Sequence, residues 1–162
     1  MQNIDFRELK RADEPFLWEM LYHALHVPPG CEPFPRSIVE SDELRRYVES
    51  WGRQGDEGFL AVDKSTPVGA VWTRVFAGEN AGYGFVDMAT PELSIAVLPE
   101  YRGLGIGTEL LRLILGSIAN RHRRISLSVS ATNPAVSLYQ RFGFVVTNSG
   151  DNSLTMIKEL VR

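Results

Sequence analysis

Apolar residues recur along this chain with two spacings, one typical of helices and the other of strands. Between Asp13 and His26 they recur every three or four residues, as at Leu17, Met20 and Leu21, which predicts an amphipathic helix capped by Asp13. Short alternating or continuous apolar runs predict strands. We expect strands at residues 3–9, 58–63, 68–76, 93–98, 124–130, 144–147 and 153–160, and helices at 13–26, 37–51, 105–120 and from 133 onward.

The segments between these elements are short, and neither a linker nor a repeat divides the chain. Four prolines exclude a helix from Val27–Pro35, and Ala77–Pro91 is a glycine-containing loop. A chain of 162 residues is long enough to bury a core of its own. The predicted order is βααβββαβαββ, which indicates a single α+β domain over residues 1–162.

The segment Glu92–Leu111 combines an apolar strand, a turn with glycines at 103, 105 and 107, and an amphipathic helix. Glycine lets a ligand approach the backbone closely, and a helix begins with free N–H groups at the positive end of its dipole. Such a turn binds phosphate. The spacing is neither the G-x-G-x-x-G of dinucleotide-binding folds nor that of a P-loop, since no lysine follows. A turn without any ligand is the alternative for this segment alone.

A second segment, Ser126–Phe144, predicts a strand followed by a short, well-capped helix. Asn133 is a good N-cap, and Pro134 suits the first helical position. Tyr139 lies one and a half turns into the helix. Gly143 stands where a helix ends in a left-handed residue.

Together the two segments resemble the GNAT superfamily of N-acetyltransferases. The sequence Arg102-Gly103-Leu104-Gly105-Ile106-Gly107 is similar to the acyl-CoA-binding signature of that family, Q/R-x-x-G-x-G/A, and Ser126–Phe144 resembles its second hallmark. The resemblance covers nearly the whole chain. It implies the GNAT fold, an α+β fold with a single mixed, mostly antiparallel sheet that is splayed at its centre and carries helices on both faces.

The resemblance also implies acetyl-CoA as the co-substrate. The pantetheine arm would pair with free backbone groups of the signature strand, as an added strand does, and the pyrophosphate would lie over the glycine turn. We therefore expect the cofactor-binding residues to be Ile95, Ala96, Val97, Arg102, Gly103, Leu104, Gly105, Ile106, Gly107, Thr108, Asn133 and Tyr139.

Acetyl transfer to an amine needs a base for the acceptor and an acid for the departing thiolate. Tyr139 matches the general acid of the family, and its alternative role is core packing. Some members carry a glutamate where this chain has Ser128, which cannot take up a proton at neutral pH. Glu92 is the leading candidate for the base, and Asp87 or a chain of water molecules are the alternatives.

The acceptor site is expected between the first two helices and the loop Ala77–Pro91. Tyr83, Phe85, Asp87 and Glu92 would supply aromatic surface and negative charge for a cationic amine. The rival interpretation is that these aromatic residues pack against the proline-rich segment. Glu19, His23 and His26 share a helical face, but we predict no metal site, because such histidines are usually solvated.

Composition narrows the class of protein further. The formal net charge of −3 argues against general nucleic-acid binding. No apolar run approaches the roughly 20 residues of a membrane span, and the first twenty residues are too charged for a signal peptide. A single cysteine, Cys31, excludes an internal disulfide and is typical of the reducing cytoplasm. We expect a cytoplasmic protein that binds neither nucleic acid nor membranes, and a homodimer is compatible with the sequence.

Three functions follow from these patterns. The first is an N-acetyltransferase that moves an acetyl group from acetyl-CoA to a primary amine, on a small molecule or a peptide, by direct attack in a ternary complex. The second, kept open by Ser128, is an acyl-CoA-binding regulatory or inactive relative. The third is an interaction domain that uses its proline-rich segment as a partner surface.

Overall fold

The computed structural model describes residues 3–150 and 152–160, and its centre is one seven-stranded sheet. The strands are β1 (Ile4–Glu8), β2 (Glu57–Asp63), β3 (Thr66–Arg74), β4 (Glu92–Val97), β5 (Arg124–Ser130), β6 (Val145–Ser149) and β7 (Ser153–Glu159). The helices are α1 (Glu14–Ala24), α2 (Asp42–Arg45), α3 (Ile106–Ile118) and α4 (Ala135–Arg141).

The strands lie in the order β1-β2-β3-β4-β5-β7-β6. Every neighbouring pair is antiparallel except β4 and β5, which are parallel. This is the mixed, mostly antiparallel sheet that the sequence predicted, with the predicted order of elements. The hairpin between β2 and β3 turns at Lys64 and Ser65, which both have positive φ angles, 48° and 76°.

Helices cover both faces of the sheet, and each face has its own apolar core. Side chains of β4 alternate between the two, because successive residues of a strand point to opposite faces. Leu93 and Ile95 pack with α3 and with Tyr139 of α4. Ala96 packs on the other face with Leu17 and other residues of α1.

The sheet is splayed between β4 and β5. The two strands pair only at Glu92 and Ser126, where the Ser126 N–H donates to the Pro91 carbonyl at 3.0 Å. Beyond that pair they separate, whereas β3 and β4 stay paired through Val97. A gap therefore opens in the middle of the sheet, at the carboxyl ends of β4 and β5.

The prediction of one helix over Ser37–Trp51 is wrong. The structure has a 3-10 turn at Arg36–Glu40, the single turn of α2, and irregular turns that follow it to residue 50. Ser41 is extended, with ψ at 152°, which interrupts any continuous helix.

Side chains of β3 explain the irregular turns after α2. The Trp72 Nε1–H donates to the main-chain carbonyl of Tyr47 at 3.0 Å. The Arg74 guanidinium donates to two more carbonyls of the same segment, at 2.9 and 2.8 Å, and pairs with the buried Asp56 at 2.7 Å. These carbonyls accept hydrogen bonds from side chains of β3, and not from N–H groups one turn further along a helix. Apolar periodicity alone therefore predicts a helix where the chain forms turns.

No helix within residues 3–150 and 152–160 has the length and apolar character needed to cross a membrane. The longest, α3, has 13 residues.

Candidate active site

Two clefts open on the splayed part of the sheet and meet between α1 and α4. The first has a volume of about 930 Å³ and reaches the glycine turn that precedes α3. The second, of about 610 Å³, runs along the ends of β4 and β5. The residues that line both are Ala24, Leu25, His26, Phe34, Ile95, Asn133 and Tyr139.

The glycine turn forms the floor of the first cleft. Gly103 and Gly105 have positive φ angles of 77° and 85°, which L-residues adopt only with strain. Gly107 lies inside α3, outside the positive-φ region, and a Cβ built on it would meet no protein atom within 4 Å. The fold itself gives no reason for glycine at 107, whereas a ligand close to the first turn of α3 does.

Most of the predicted signature residues line this cleft together. They are Arg102, Gly103, Gly105, Ile106, Gly107 and Thr108. The side chain of Leu104 is 55% exposed and is not part of the cleft wall. The loop and the first turn of α3 thus present N–H groups of the kind that bind phosphate.

The free edge of β4 lies at Ile95 and Val97. Leu98 donates its N–H to the carbonyl of Val68, at 2.8 Å, and antiparallel pairing then directs the backbone groups of Ala96 toward β3 as well. Those of Ile95 and Val97 consequently point into the gap. The prediction that Ala96 also has free backbone groups is therefore wrong, although Ala96 does line the first cleft.

The Arg102 side chain lies across this edge. Its Nε donates to the Val97 carbonyl at 3.1 Å, and one Nη donates to the His23 carbonyl at 3.3 Å. The guanidinium thus joins the end of β4 to the end of α1.

Asn133 and Tyr139 lie where the two clefts meet. The Asn133 side-chain oxygen accepts a hydrogen bond from the Ala135 N–H at 2.9 Å, which caps α4. The Tyr139 ring packs edge-on against Phe144. Burial raises the pKa of Tyr139 to about 12, and no charge or hydrogen bond from the described residues contributes to that shift.

Glu92 is a buried carboxyl in the wall of the second cleft, and only one of its two oxygens is hydrogen-bonded to the described residues. Its Oε2 accepts hydrogen bonds from the Tyr47 hydroxyl at 2.5 Å and from the Gly84 N–H at 3.1 Å. Its Oε1 has no partner among the described residues. Gly82 covers that oxygen so closely that a Cβ on Gly82 would lie 2.4 Å from it.

Desolvation raises the pKa of Glu92 to about 7. The hydrogen bonds from Tyr47 and Gly84 and the charge of Arg46 act in the opposite direction, because they favour the carboxylate. Burial is the stronger effect. A carboxyl group that titrates near neutral pH in a cleft is suited to proton transfer.

The other residues predicted for the acceptor site do not lie together in one cleft. Tyr83 lines the second cleft, with its side chain 61% exposed, whereas Phe85 packs into the core beneath α1. Asp87 lies outside both clefts, where it accepts a hydrogen bond from Thr90 and pairs with Arg124. Hydrogen bonds from Thr90 and Ala89 and the Arg124 charge lower the pKa of Asp87. The structure therefore does not bring Asp87 together with Tyr83 and Glu92 in the second cleft.

Among the cleft residues to which the sequence assigned no role are Tyr47 and His26. Tyr47 holds the Glu92 carboxyl and accepts the Tyr83 N–H at 2.7 Å. His26 lines both clefts, and its Nε2 is buried without a partner among the described residues. Because Tyr47 and Glu92 are 45 residues apart, no local pattern indicates their contact.

The predicted helical face of Glu19, His23 and His26 does not form, because α1 ends at Ala24 and Leu25 is extended. Glu19 accepts hydrogen bonds from His23 at 2.9 Å and from Arg36 at 2.8 Å. Among the described residues, no three His, Cys, Asp or Glu side chains gather as metal ligands would.

Comparison with known sequences identifies relatives over most of the chain. The 5-NmdU N-acetyltransferase of Pseudomonas phage PaMx11 is 38% identical over 134 residues, which cover 76% of this chain and 91% of the relative. The mycothiol acetyltransferase of Corynebacterium glutamicum (strain R) is 28% identical over 138 residues, covering 76% of this chain. The chain spans about half the length of such mycothiol acetyltransferases, 47% in this case.

The fold is also found among solved structures. The PaiA N-acetyltransferase of Thermoplasma acidophilum, in complex with coenzyme A, superposes with a TM-score of 0.69 at 21% identity, covering 97% of this chain and 99% of that one. At this identity the likeness shows the fold alone. A sequence model of the Acetyltransferase (GNAT) family matches residues 18–144. Since that match takes in β4, the glycine turn and α4, this chain belongs to the GNAT acetyltransferase family.

Proposed function

We propose that this protein is an N-acetyltransferase that moves an acetyl group from acetyl-CoA to a primary amine by direct attack in a ternary complex. The observation that carries the proposal is the meeting of two clefts at Tyr139, one with a phosphate-binding turn and the other with the buried carboxyl of Glu92. An exposed, free Cys31 fits the reducing cytoplasm in which we place the protein.

In this proposal acetyl-CoA occupies the first cleft. Its pyrophosphate is held by N–H groups of the turn at Gly103–Gly107, and its amides pair with the free edge of β4 at Ile95 and Val97. The Val97 carbonyl becomes available when Arg102 releases it. The thioester then lies near Tyr139, where the two clefts join.

The amine enters from the second cleft and gives up a proton before it attacks. We assign the proton to Oε1 of Glu92, the oxygen without a partner among the described residues. With a pKa of about 7 the carboxylate is substantially populated at neutral pH. The neutral nitrogen then bonds to the carbonyl carbon.

The C–S bond breaks as the C–N bond forms, and the thiolate of CoA departs. The nitrogen then gives up its second proton, which passes to the thiolate, so that the products are the amide and the CoA thiol. With a pKa of about 12, Tyr139 stays protonated and can donate to the sulfur. Since an ordinary thiol has a pKa of about 8.5, full transfer from this phenol is uphill. The first contribution of Tyr139 is therefore a hydrogen bond that stabilises the thiolate.

The test is release of the CoA thiol from acetyl-CoA with a panel of primary amines, with the amide product identified by mass. The proposal expects amine-dependent thiol release that falls sharply in Glu92→Gln, while that variant still binds acetyl-CoA. Binding without turnover on any amine would instead identify an acyl-CoA-binding protein, the alternative that Ser128 keeps open. Failure to bind CoA at all would contradict both functions.

A further inference from the structure

One wall of the second cleft consists of neutral polar side chains that the proposed chemistry does not use. Ser128 and Ser130 share one face of β5, and Ser153 of β7 pairs with Ser130 across the sheet. Asn152 adjoins them in the same wall. The Ser130 hydroxyl lies 3.4 Å from that of Thr132, whereas those of Ser128 and Ser153 have no hydrogen-bond partner among the described residues.

The opposite wall is apolar and aromatic. It is formed by Leu21, Leu25, Phe34, Tyr47 and Tyr83. The buried carboxyl of Glu92, 3% exposed and with its Oε1 unpartnered, lies in the same cleft and marks where the amine is held. An acceptor bound here has a hydroxyl-bearing surface on one side and rings on the other.

The charges around this cleft restrict the acceptor further. Among the described residues that line it there is neither lysine nor arginine, and Glu92 is the only carboxylate. The nearby Arg46 guanidinium is committed to the carbonyls of Asp42 and Ala81, at 2.9 and 2.6 Å. His26 is the one basic side chain in the wall, and its Nε2 is buried.

Asn152 and Ser153 are exposed and form the rim of the cleft, whereas Ser128 and Ser130 lie deeper. A charged group of the acceptor that lies beside Ser128 and Ser130, other than the reacting amine, would therefore lose its water without gaining a partner among the described residues. Burying an unpaired charge or an unsatisfied polar group is strongly unfavourable, whereas neutral hydroxyl and amide groups would be matched by the serine wall. A carboxylate or phosphate lacks a cation here. A second ammonium lacks a second carboxylate.

We infer that the acceptor is a primary amine whose remaining polar groups are neutral hydroxyls or amides, recognised by Ser128, Ser130 and Ser153. This inference rests on the proposed function, because it assigns the second cleft to the acceptor. It separates amino alcohols, amino sugars and related neutral amines from amino acids, sugar phosphates and polyamines.

The test compares acceptors that differ in one group. 6-Aminohexanol, 6-aminohexanoate and 1,6-diaminohexane share a chain and an amine, and glucosamine and glucosamine 6-phosphate form a second pair. We expect kcat/KM for each neutral compound to exceed that of its charged partners by at least about 10-fold at pH 8.5. Values within about 3-fold of one another would overturn the inference and leave the proposed function intact. No thiol release with any amine would overturn both.

Variants of the wall give an independent measurement. Ser128→Ala and Ser130→Ala should each raise KM for the neutral acceptors about 3- to 10-fold, the effect of one lost hydrogen bond, with little change in kcat. Ser137→Ala, on the exposed face of α4 and outside both clefts, is the matched control and should leave KM unchanged. If both wall variants keep the wild-type melting temperature and the wild-type KM, the serine wall does not recognise the acceptor.

Discussion

Replacing Glu92 by glutamine keeps the shape of the side chain and removes its charge, so its effect on stability should depend on pH. The glutamine oxygen can still accept the hydrogen bonds that Tyr47 and Gly84 donate to Oε2. At low pH the wild-type carboxyl is neutral as well, and the two proteins should have similar stability. At high pH only the wild type carries a buried charge.

The magnitude follows from the pKa of Glu92, which desolvation raises from an ordinary 4.5 to about 7. A tenfold change in an ionisation constant corresponds to about 1.4 kcal/mol, so ionisation of Glu92 destabilises the folded state by about 3 kcal/mol in total. Because the folded pKa is the higher one, the stability is present at low pH and is lost as pH rises through 7. About 2 kcal/mol of the loss falls between pH 5.5 and 8.5.

The assay is urea unfolding followed by tryptophan fluorescence, since Trp51 and Trp72 are buried. We expect the free energy of unfolding of Glu92→Gln, relative to wild type, to rise by about 2 kcal/mol between pH 5.5 and 8.5. Every other titrating group is shared by the two proteins and cancels in the comparison. A difference that stays constant with pH would show that Glu92 is not a desolvated carboxyl and would remove the physical basis for its role as a base.

Three further predictions test the site. The acid limb of kcat/KM should follow an apparent pKa of about 7. Tyr47→Phe should move that limb to higher pH, because the variant lacks the hydrogen bond with which Tyr47 stabilises the carboxylate of Glu92. An unshifted limb would exclude Glu92 as the titrating group. Tyr139→Phe removes the hydrogen bond to the departing thiolate and should lower kcat by roughly 10²- to 10³-fold with acetyl-CoA affinity unchanged, and wild-type turnover would return this ring to a packing role. Gly107→Ala and Gly116→Ala should both raise the melting temperature, since both glycines lie in α3 with open space around them. Calorimetry should show weaker acetyl-CoA binding only for the former, and equal affinities would contradict our placement of the pyrophosphate.

The parts of the fold that depend on local patterns were predictable. The apolar stripe of α3 and the strands on either side of it are recorded in short stretches of sequence, and so are the glycines at 103, 105 and 107. The helix expected over Ser37–Trp51 was not, because its carbonyls are bound by Trp72 and Arg74 from a distant strand. Tertiary contacts of this kind override periodicity.

In the site, too, local patterns indicated the candidate residues, and distant contacts determine their environment. Glu92 was a candidate from its place at the start of the signature strand, but its pKa is set by burial, which raises it, and by hydrogen bonds from Tyr47 and Gly84, which partly offset that effect. Asp87 had the same claim on sequence grounds, and the fold pairs it with Arg124 instead. A carboxylate's neighbours decide its chemistry, and they are set by the whole topology.

The splay of the sheet makes the fold mechanically unusual. Among the described residues, strand pairing between the half that contains β1–β4 and the half that contains β5, β7 and β6 is confined to the single residue pair of Glu92 and Ser126. Beyond that pair the halves are joined by packed side chains and by the connecting chain. A ligand that pairs with the free edge of β4 takes the place of a strand, so its binding energy also holds the halves together. The free energy of ligand binding then adds to the free energy needed to separate the two halves. Backbone amides on both sides of the gap should therefore exchange with solvent more slowly whenever the first cleft is filled.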